Sequence, residues 1–321
     1  MILIADEMHP ALMQGLRDQQ IPFNYQPHIA LHEVLDVIAQ YEGVVVRTKF
    51  SIDKKFIDAA PRLQFIARAG SGTDNIDVTY ATHRGIQIIN APEGLCDAVA
   101  EHTIGCILAL QHKILKSNEE VKNLEWKREE NRGFELMNST VGIIGYGHTG
   151  SAVAKKLSGF GVHVLAFDKY RKAEQGEENR FFFDAYATSS SLHTIYEQTD
   201  ILTIHVPLTK ETEGWINRKF FEQFKKPIVF INTARGGIVN SFDLIQALQG
   251  GIVKAAALDV LEQEPPFSSE GESTGWFNTL RAMQQVIFTP HIAGWSTQGY
   301  ERISTVLSAK IINFYSSKRN S

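Results

Sequence analysis

Cysteine is scarce in this chain. Cys96 and Cys106 are the whole supply in 321 residues, too few for a disulfide frame, and the stretch that separates them reads as helix. Two buried thiols in a reducing compartment are the expectation, and with it a cytoplasmic protein. An excess of one charge is missing as well. The 32 basic and 36 acidic residues leave a formal net charge of -4, so nothing is in surplus to neutralise nucleic-acid phosphates. A local basic pocket for a small anion is still compatible with that balance. Long apolar runs are also lacking. The opening MILIADEMHP reaches Asp6 and Glu7 almost at once, which speaks against a secretory signal or a membrane span. There is no G-x-S-x-G elbow, no H-E-x-x-H, no clustered Cys/His ligand set and no G-x-x-x-x-G-K-[ST] loop, so no metal site is expected.

What is present is the composition of a folded soluble protein, 43% hydrophobic and 21% charged, with length enough for two domains. Short β-branched runs alternate with helical patterns almost throughout, the rhythm of parallel α/β sheets. In the first part, strands are predicted at 2–5, 22–25, 43–47, 63–69 and 86–90. Helices are predicted between them at 10–19, 30–41, 52–60 and 75–84, and Gly85 sits where a C-cap belongs. This part has a flavodoxin-like rhythm. One long helix is predicted over 97–123, followed by a polar crossing at 125–138. A second alternating part has predicted strands at 140–144, 163–167, 201–205, 228–232, 254–258 and 286–289, with helices at 150–160, 219–224 and 242–249. The tail at 297–315 is again helical, and folding it back would make the first domain discontinuous. The expected division is 1–96 with 295–321 as a substrate domain and 97–294 as a dinucleotide-binding domain.

Gly145-Tyr146-Gly147-His148-Thr149-Gly150 matches G-x-G-x-x-G. Alone the pattern is weak in a chain with 24 glycines. Here it follows a strand, opens an amphipathic stretch, and precedes a second strand ending in Asp168, as in a dinucleotide-binding βαβ unit. Gly145 would make the tight turn, Gly147 would admit the pyrophosphate, and Gly150 would let helix and strand lie close. His148 is expected beside the pyrophosphate. Asp168 would accept from ribose hydroxyls and repel a 2′-phosphate, favouring NAD, although Lys169 and Arg171 follow it closely.

Hydride transfer at an alcohol carbon needs a group that exchanges the hydroxyl proton, and a 2-oxo acid needs a cation for its carboxylate. Ligands of open α/β sheets gather beyond the carboxyl ends of strands. Three candidates lie there: Arg235 after IVFINTA, Glu264 after AALDVLEQ, and His291 after VIFTP. Each alone reads as an ordinary surface or packing residue. A cation, a carboxylate and an imidazole on successive strand ends form a catalytic set, in which the carboxylate supports the imidazolium.

These segments resemble the D-isomer-specific 2-hydroxyacid dehydrogenases, and among them the 3-phosphoglycerate dehydrogenases. The resemblance is carried by RAGSGTDNID, NAPEGLCDAVAEHT, GYGHTG, HVPLTKET, INTARGG, ALDVLEQEP and TPHIAG, in the family's order along nearly the whole chain. It implies a Rossmann-type doubly wound sheet with a smaller flavodoxin-like α/β domain, NAD as cofactor, and Arg235, Glu264 and His291 as the catalytic trio with His291 as acid/base. It further implies Asp259 near the nicotinamide and Thr233, Ala234 and Gly294 lining the cofactor cleft. The substrate's carboxylate is expected on amides of Gly70, Ser71 and Gly72, and a distal phosphate on Arg47 and Lys49. A homodimer formed through the region of the long helix is implied too, as is a step in serine biosynthesis without an appended regulatory domain. Thr149 departs from the aliphatic residue common in the glycine motif, Asn240 stands where Asp is frequent, and Trp295 replaces a smaller residue. The alternatives are a glyoxylate or hydroxypyruvate reductase acting on an unphosphorylated acid, and a non-catalytic NAD-sensing module.

Overall fold

The computed structural model describes residues 1–171, 174–175 and 181–319, and the chain divides into two compact units, Met1–Cys96 with Trp295–Ser321 and Asp97–Gly294. The first unit is a five-stranded parallel sheet. Its elements are β1 (Ile2–Ile4), α1 (Pro10–Asp18), β2 (Phe23–Tyr25), α2 (Leu31–Val37), β3 (Gly43–Val46), α3 (Lys54–Asp58), β4 (Phe65–Arg68), α4 (Val78–His83) and β5 (Gln87–Asn90). The strand order β2-β1-β3-β4-β5 is that of a flavodoxin-like sheet. Alternate residues feed opposite faces. Leu3, Val44, Val46 and Ile66 pack with α2 and α3 residues, while Ile4, Val45, Phe65 and Ala67 meet Ile303, Leu307 and Ile311 of the C-terminal helix Thr297–Arg319. Gly85 takes φ 73, the left-handed C-cap expected of it.

The second unit begins with α5 (Cys96–Gln111) and α6 (Ile114–Lys122), then β6 (Thr140–Ile144), α7 (His148–Leu157) and β7 (His163–Phe167). It continues through β8 (Glu174–Gln175), β9 (Phe181–Asp184), β10 (Ala187–Ser189), α8 (Leu192–Gln198), β11 (Ile201–Ile204) and α9 (Arg218–Phe221). Last come β12 (Ile228–Asn232), α10 (Ser241–Gln249), β13 (Val253–Leu258), α11 (Gly275–Arg281) and β14 (Val286–Phe288). The sheet order is β14-β13-β12-β11-β6-β7-β10-β9-β8. The chain runs outward from β6 to β7, then returns to β11 on the other side of β6, so the switch point falls between β6 and β11. Strands here read as continuous apolar runs because both faces are covered. Val141 and Ile143 face one cluster with Ile104 and Ile107 of α5, and Ile204, Phe230 and Leu258 face the other.

Three expectations change. The single helix over 97–123 is two helices, parted at Lys113, which takes φ 51. The carbonyl of Gln111 accepts the Phe134 amide at 3.0 Å, a tertiary partner that replaces the next helical bond. The sheet is not wholly parallel, since β10, β9 and β8 pair antiparallel at one edge. Cys96 is half-buried rather than buried, at the start of α5, where its thiol donates to the Glu93 carbonyl at 3.3 Å. Both cysteines are free thiols, and among the described residues no helix is long and apolar enough to cross a membrane.

Candidate active site

The glycine turn joins β6 to α7 at the switch point. Gly145 takes φ 91, which a side chain would rarely adopt, and a Cβ there would lie 2.6 Å from the His205 carbonyl oxygen. A Cβ at Gly150 would meet the Gly145 carbonyl at 2.1 Å, so only glycine lets the helix seat against the turn. Gly147 faces open space. Helix α7 starts at His148, two residues before the expected 150, and its first hydrogen bond within the turn is Ser151 N to Gly147 O at 3.0 Å. The helix thus turns its positive end toward the glycine turn, which suits an anion.

Asp168 closes the far side of this turn. Its Oδ2 accepts the Tyr146 amide at 2.7 Å, and Oδ1 accepts the Tyr170 and Arg171 amides at 2.8 and 2.9 Å. An open cleft of about 530 Å³ is lined by Tyr146, Gly147, His148, Ser151, Asp168, Tyr170 and Arg171. The neighbouring cations are already engaged. Lys169 bonds Glu211 at 2.6 Å, and Arg171 donates to the carbonyls of Tyr146 and Phe183 at 2.9 and 3.2 Å. The acceptor at Asp168, the glycine turn and the helix end are a donor and acceptor set that fits a dinucleotide.

Arg235, Glu264 and His291 follow β12, β13 and β14, which are adjacent parallel strands. Three loops therefore emerge side by side from one sheet edge. A Cβ at Gly236 would lie 1.8 Å from the Leu261 carbonyl, so a glycine beside Arg235 lets its loop abut the one that carries Glu264. Asn232, buried at the end of β12, braces that loop internally, accepting the Ala234 amide at 3.0 Å and donating to the Arg235 carbonyl at 3.1 Å. Arg235 Nη1 donates to the Ala234 carbonyl at 2.7 Å. Asn240 caps α10 through the Asp243 amide at 3.0 Å, a task Asn performs as well as Asp.

His291 Nδ1 lies 2.6 Å from Glu264 Oε2, and Glu264 Oε1 accepts the Leu261 amide at 2.9 Å. The hydrogen bond that His291 donates to Glu264 raises the His291 pKa, burial works against it, and the Glu264 charge adds to it. Burial pushes Glu264 up, yet the bonds from His291 and Leu261 and the charges of His291 and Arg235 bring it below its ordinary range. His291 adopts φ 56, a left-handed turn held by its own amide, which donates to the Asp259 and Thr289 carbonyls. Asp259 is buried and faces this turn: its two carboxylate oxygens accept the Ile292 and Ala293 amides at 2.8 and 2.9 Å. The resemblance implies Asp259 near the nicotinamide; among the described residues its carboxylate accepts hydrogen bonds from the histidine loop, Thr289 Oγ1 included at 2.6 Å. Thr233 is buried and its hydroxyl meets Thr103 Oγ1 at 3.1 Å; Gly294 ends the second unit.

In the first unit, Arg47 follows β3. Its guanidinium lies 4.5 Å from the Trp295 ring and 5.3 Å from the Tyr300 ring, and no carboxylate or carbonyl among the described residues accepts from it. Asn75 donates to the carbonyls of Arg47 and Phe50, bracing this loop. Lys49 turns aside to the Pro27 carbonyl at 2.7 Å. Gly70 donates its amide to the Arg68 carbonyl at 2.9 Å, so of the expected three amides those of Ser71 and Gly72 are the ones with no acceptor among the described residues. Asn90 holds that loop through the Ser71 carbonyl at 2.7 Å. Sequence reasoning missed Arg68, whose Nη1 would lie 1.6 Å from a Cβ at Gly70, and the aromatic partners of Arg47. RAG and WSTQGY carried those residues in plain view, but no spacing rule joins them.

The NAD binding domain model of the D-isomer specific 2-hydroxyacid dehydrogenases matches residues 104–293. The chain belongs to that family. It is 35% identical over 312 residues to a D-3-phosphoglycerate dehydrogenase of Archaeoglobus fulgidus, covering 97% of this chain and 56% of that protein. A D-3-phosphoglycerate dehydrogenase of Bacillus subtilis is 33% identical over 313 residues, with 98% and 56% covered. The chain thus spans about half the length of the curated relatives it matches. Among solved structures it is similar to a D-lactate dehydrogenase from Aquifex aeolicus complexed with NAD and lactic acid, at 28% identity and a TM-score of 0.82, covering 99% of this chain and 96% of that one.

Proposed function

We propose that this protein is an NAD(H)-dependent oxidoreductase that interconverts a D-2-hydroxy acid and its 2-oxo acid, with D-3-phosphoglycerate as the substrate. The observation that carries the reading is the 2.6 Å contact of His291 with Glu264, on loops from adjacent strands beside that of Arg235. NAD(H) bound at the glycine turn and Asp168 would supply or accept the hydride at C2. His291 Nδ1 is committed to Glu264, so Nε2 is the atom that gives a proton to the substrate oxygen or takes one from it. Arg235 holds the 2-oxo carboxylate and polarises the carbonyl. Asp168, with Lys169 and Arg171 engaged elsewhere, supports NAD over NADP. Ser71 and Gly72 offer amides to the carboxylate. Arg47, held by two rings with its donors open, is the better candidate than Lys49 for a distal phosphate.

The partner reading is a homodimer. Leu124 is 95% exposed and Trp126 83%, and Ile114, Leu115, Val121 and Phe134 add apolar surface around them, which a second copy would cover. A cytoplasmic home goes with the two free thiols. The deciding assay is NADH oxidation against a panel of phosphohydroxypyruvate, hydroxypyruvate and glyoxylate. Preference for the phosphorylated acid is the expected result. Faster turnover of an unphosphorylated acid moves the assignment to a reductase of that acid, and no turnover with bound NADH would leave a sensing module.

A further inference from the structure

Two consecutive residues of α5 reach two loops that carry proposed catalytic side chains. His102 Nε2 lies 3.1 Å from Thr289 Oγ1, two residues before His291. Thr103 Oγ1 lies 3.1 Å from Thr233 Oγ1, two residues before Arg235. The hydrogens in these contacts can be counted. Thr289 donates its one hydroxyl hydrogen to Asp259 Oδ1 at 2.6 Å, so toward His102 it has only lone pairs. His102 Nε2 therefore carries a hydrogen. The chain runs His102 Nε2–H to Thr289 Oγ1–H to Asp259 Oδ1, and that same oxygen accepts the Ile292 amide at 2.8 Å. On the other side, Thr103 donates to the Val99 carbonyl at 2.8 Å and so accepts from Thr233.

A left-handed non-glycine residue persists only where its surroundings over-determine it. At His291 that duty falls on Asp259, and Asp259 is reached through Thr289 from a side chain 157 positions before it in sequence. Resting on the dehydrogenase reading above, we propose that His102 is a positioning residue: through Thr289 and Asp259 it fixes the turn at His291, and so the approach of the imidazole to Glu264. Among the described residues, three charged groups face His291: Glu264 from the loop after β13, Arg235 from the loop after β12, and Asp259 at the end of β13. His102 faces Asp259 at 3.8 Å. Cys106, one turn further along α5, is pushed up to about 11 by burial and by Asp259, so it stays a neutral thiol and adds no competing charge.

The test uses four variants of the whole protein: His102→Leu, Thr289→Val, the double variant, and His102→Gln, whose amide can still donate to Thr289. Three quantities are measured: kcat for 2-oxo acid reduction across pH, NADH affinity, and the titration midpoint of the His291 imidazole by NMR, with the signal assigned from His291→Asn. Loss of the His102 bond should lower kcat roughly tenfold to a hundredfold while NADH affinity changes less than about twofold, as for a misplaced reacting group. The His291 midpoint should fall toward that of an ordinary imidazole. His102→Gln should restore most of kcat. Because the two residues act in series, the double variant should be no worse than Thr289→Val alone. Additive losses, an unmoved His291 midpoint, or no restoration by Gln overturns the proposal. Should His102→Leu fail to fold, Thr289→Val and His102→Gln carry the same titration. Should the parent enzyme reduce no 2-oxo acid, the functional reading fails by itself, and the His291 midpoint still decides whether His102 sets the turn.

Discussion

His291 Nδ1 and Glu264 Oε2 stand 2.6 Å apart, although 27 residues separate them in sequence. The contact divides the imidazole into two ends with different work. Nδ1 keeps its hydrogen toward the carboxylate in either protonation state, so the proton gained or lost in a reaction sits on Nε2. The same contact raises the His291 pKa and, against burial, lowers that of Glu264.

Reduction of a 2-oxo acid needs the imidazolium, so it should proceed below the raised His291 pKa and fall as pH rises through it. Glu264→Gln removes the largest cause of that elevation. The alkaline limb of reduction should move to lower pH, and the acid limb of alcohol oxidation should move the same way. Rate profiles in both directions check this; limbs that stay in place, or move apart, count against it.

Stability should respond to the same pair. His291 contributes fully below its unfolded value of 6.5 and loses that contribution as pH rises through its raised folded value. Glu264 contributes above its ordinary 4.5 and loses its part as pH falls through the depressed folded value. Both terms are complete at about pH 5–6. The Tm difference between the parent and Glu264→Gln should be largest there and shrink on either side, and a pH-independent difference would argue that the pair is not coupled.

Asp168→Ala should weaken NADH binding about tenfold to a hundredfold, since hydrogen bonds to a charged group contribute roughly 1.5–3 kcal/mol. Preference over NADPH should narrow, because the charge that repels a 2′-phosphate is gone. Equal use of both cofactors by the parent protein would defeat the assignment.

Arg47→Ala should cost about tenfold to a hundredfold in kcat/KM with phosphohydroxypyruvate and little with glyoxylate. Trp295→Ala, which removes the ring 4.5 Å from the guanidinium, should reproduce part of that selective loss. Equal effects on both acids would place Arg47 outside substrate recognition.

Leu124→Glu combined with Trp126→Glu should turn a dimer into a monomer in light scattering at micromolar concentration. A monomeric parent would remove the homodimer reading.

Much of this protein is a matter of short-range rules, and those can be read from the chain alone. Alternating β-branched runs and helical periods mark the parallel strands, because side-chain direction repeats every two residues in a strand and every 3.6 in a helix. The turn at Gly145 and the cap at Gly85 follow from backbone positions that exclude a side chain, and the acceptor at Asp168 from the length of one βαβ unit. Arg235, Glu264 and His291 were visible as residues just past strand ends. Contacts made across long stretches of chain were not. The break at Lys113 depends on an amide at Phe134 that satisfies the Gln111 carbonyl, and the aromatic faces over Arg47 come from residues about 250 positions later. The antiparallel edge β8–β10 was masked by the short, phenylalanine-rich run that forms it. The left-handed turn at His291 rests on Asp259, which accepts from Thr289, and Thr289 meets His102, 187 residues earlier in the chain. Periodicity and turn chemistry specify where a strand ends; which distant hydrogen-bond donor meets the loop beyond it is decided only when the sheet has assembled and buried polar groups must find partners.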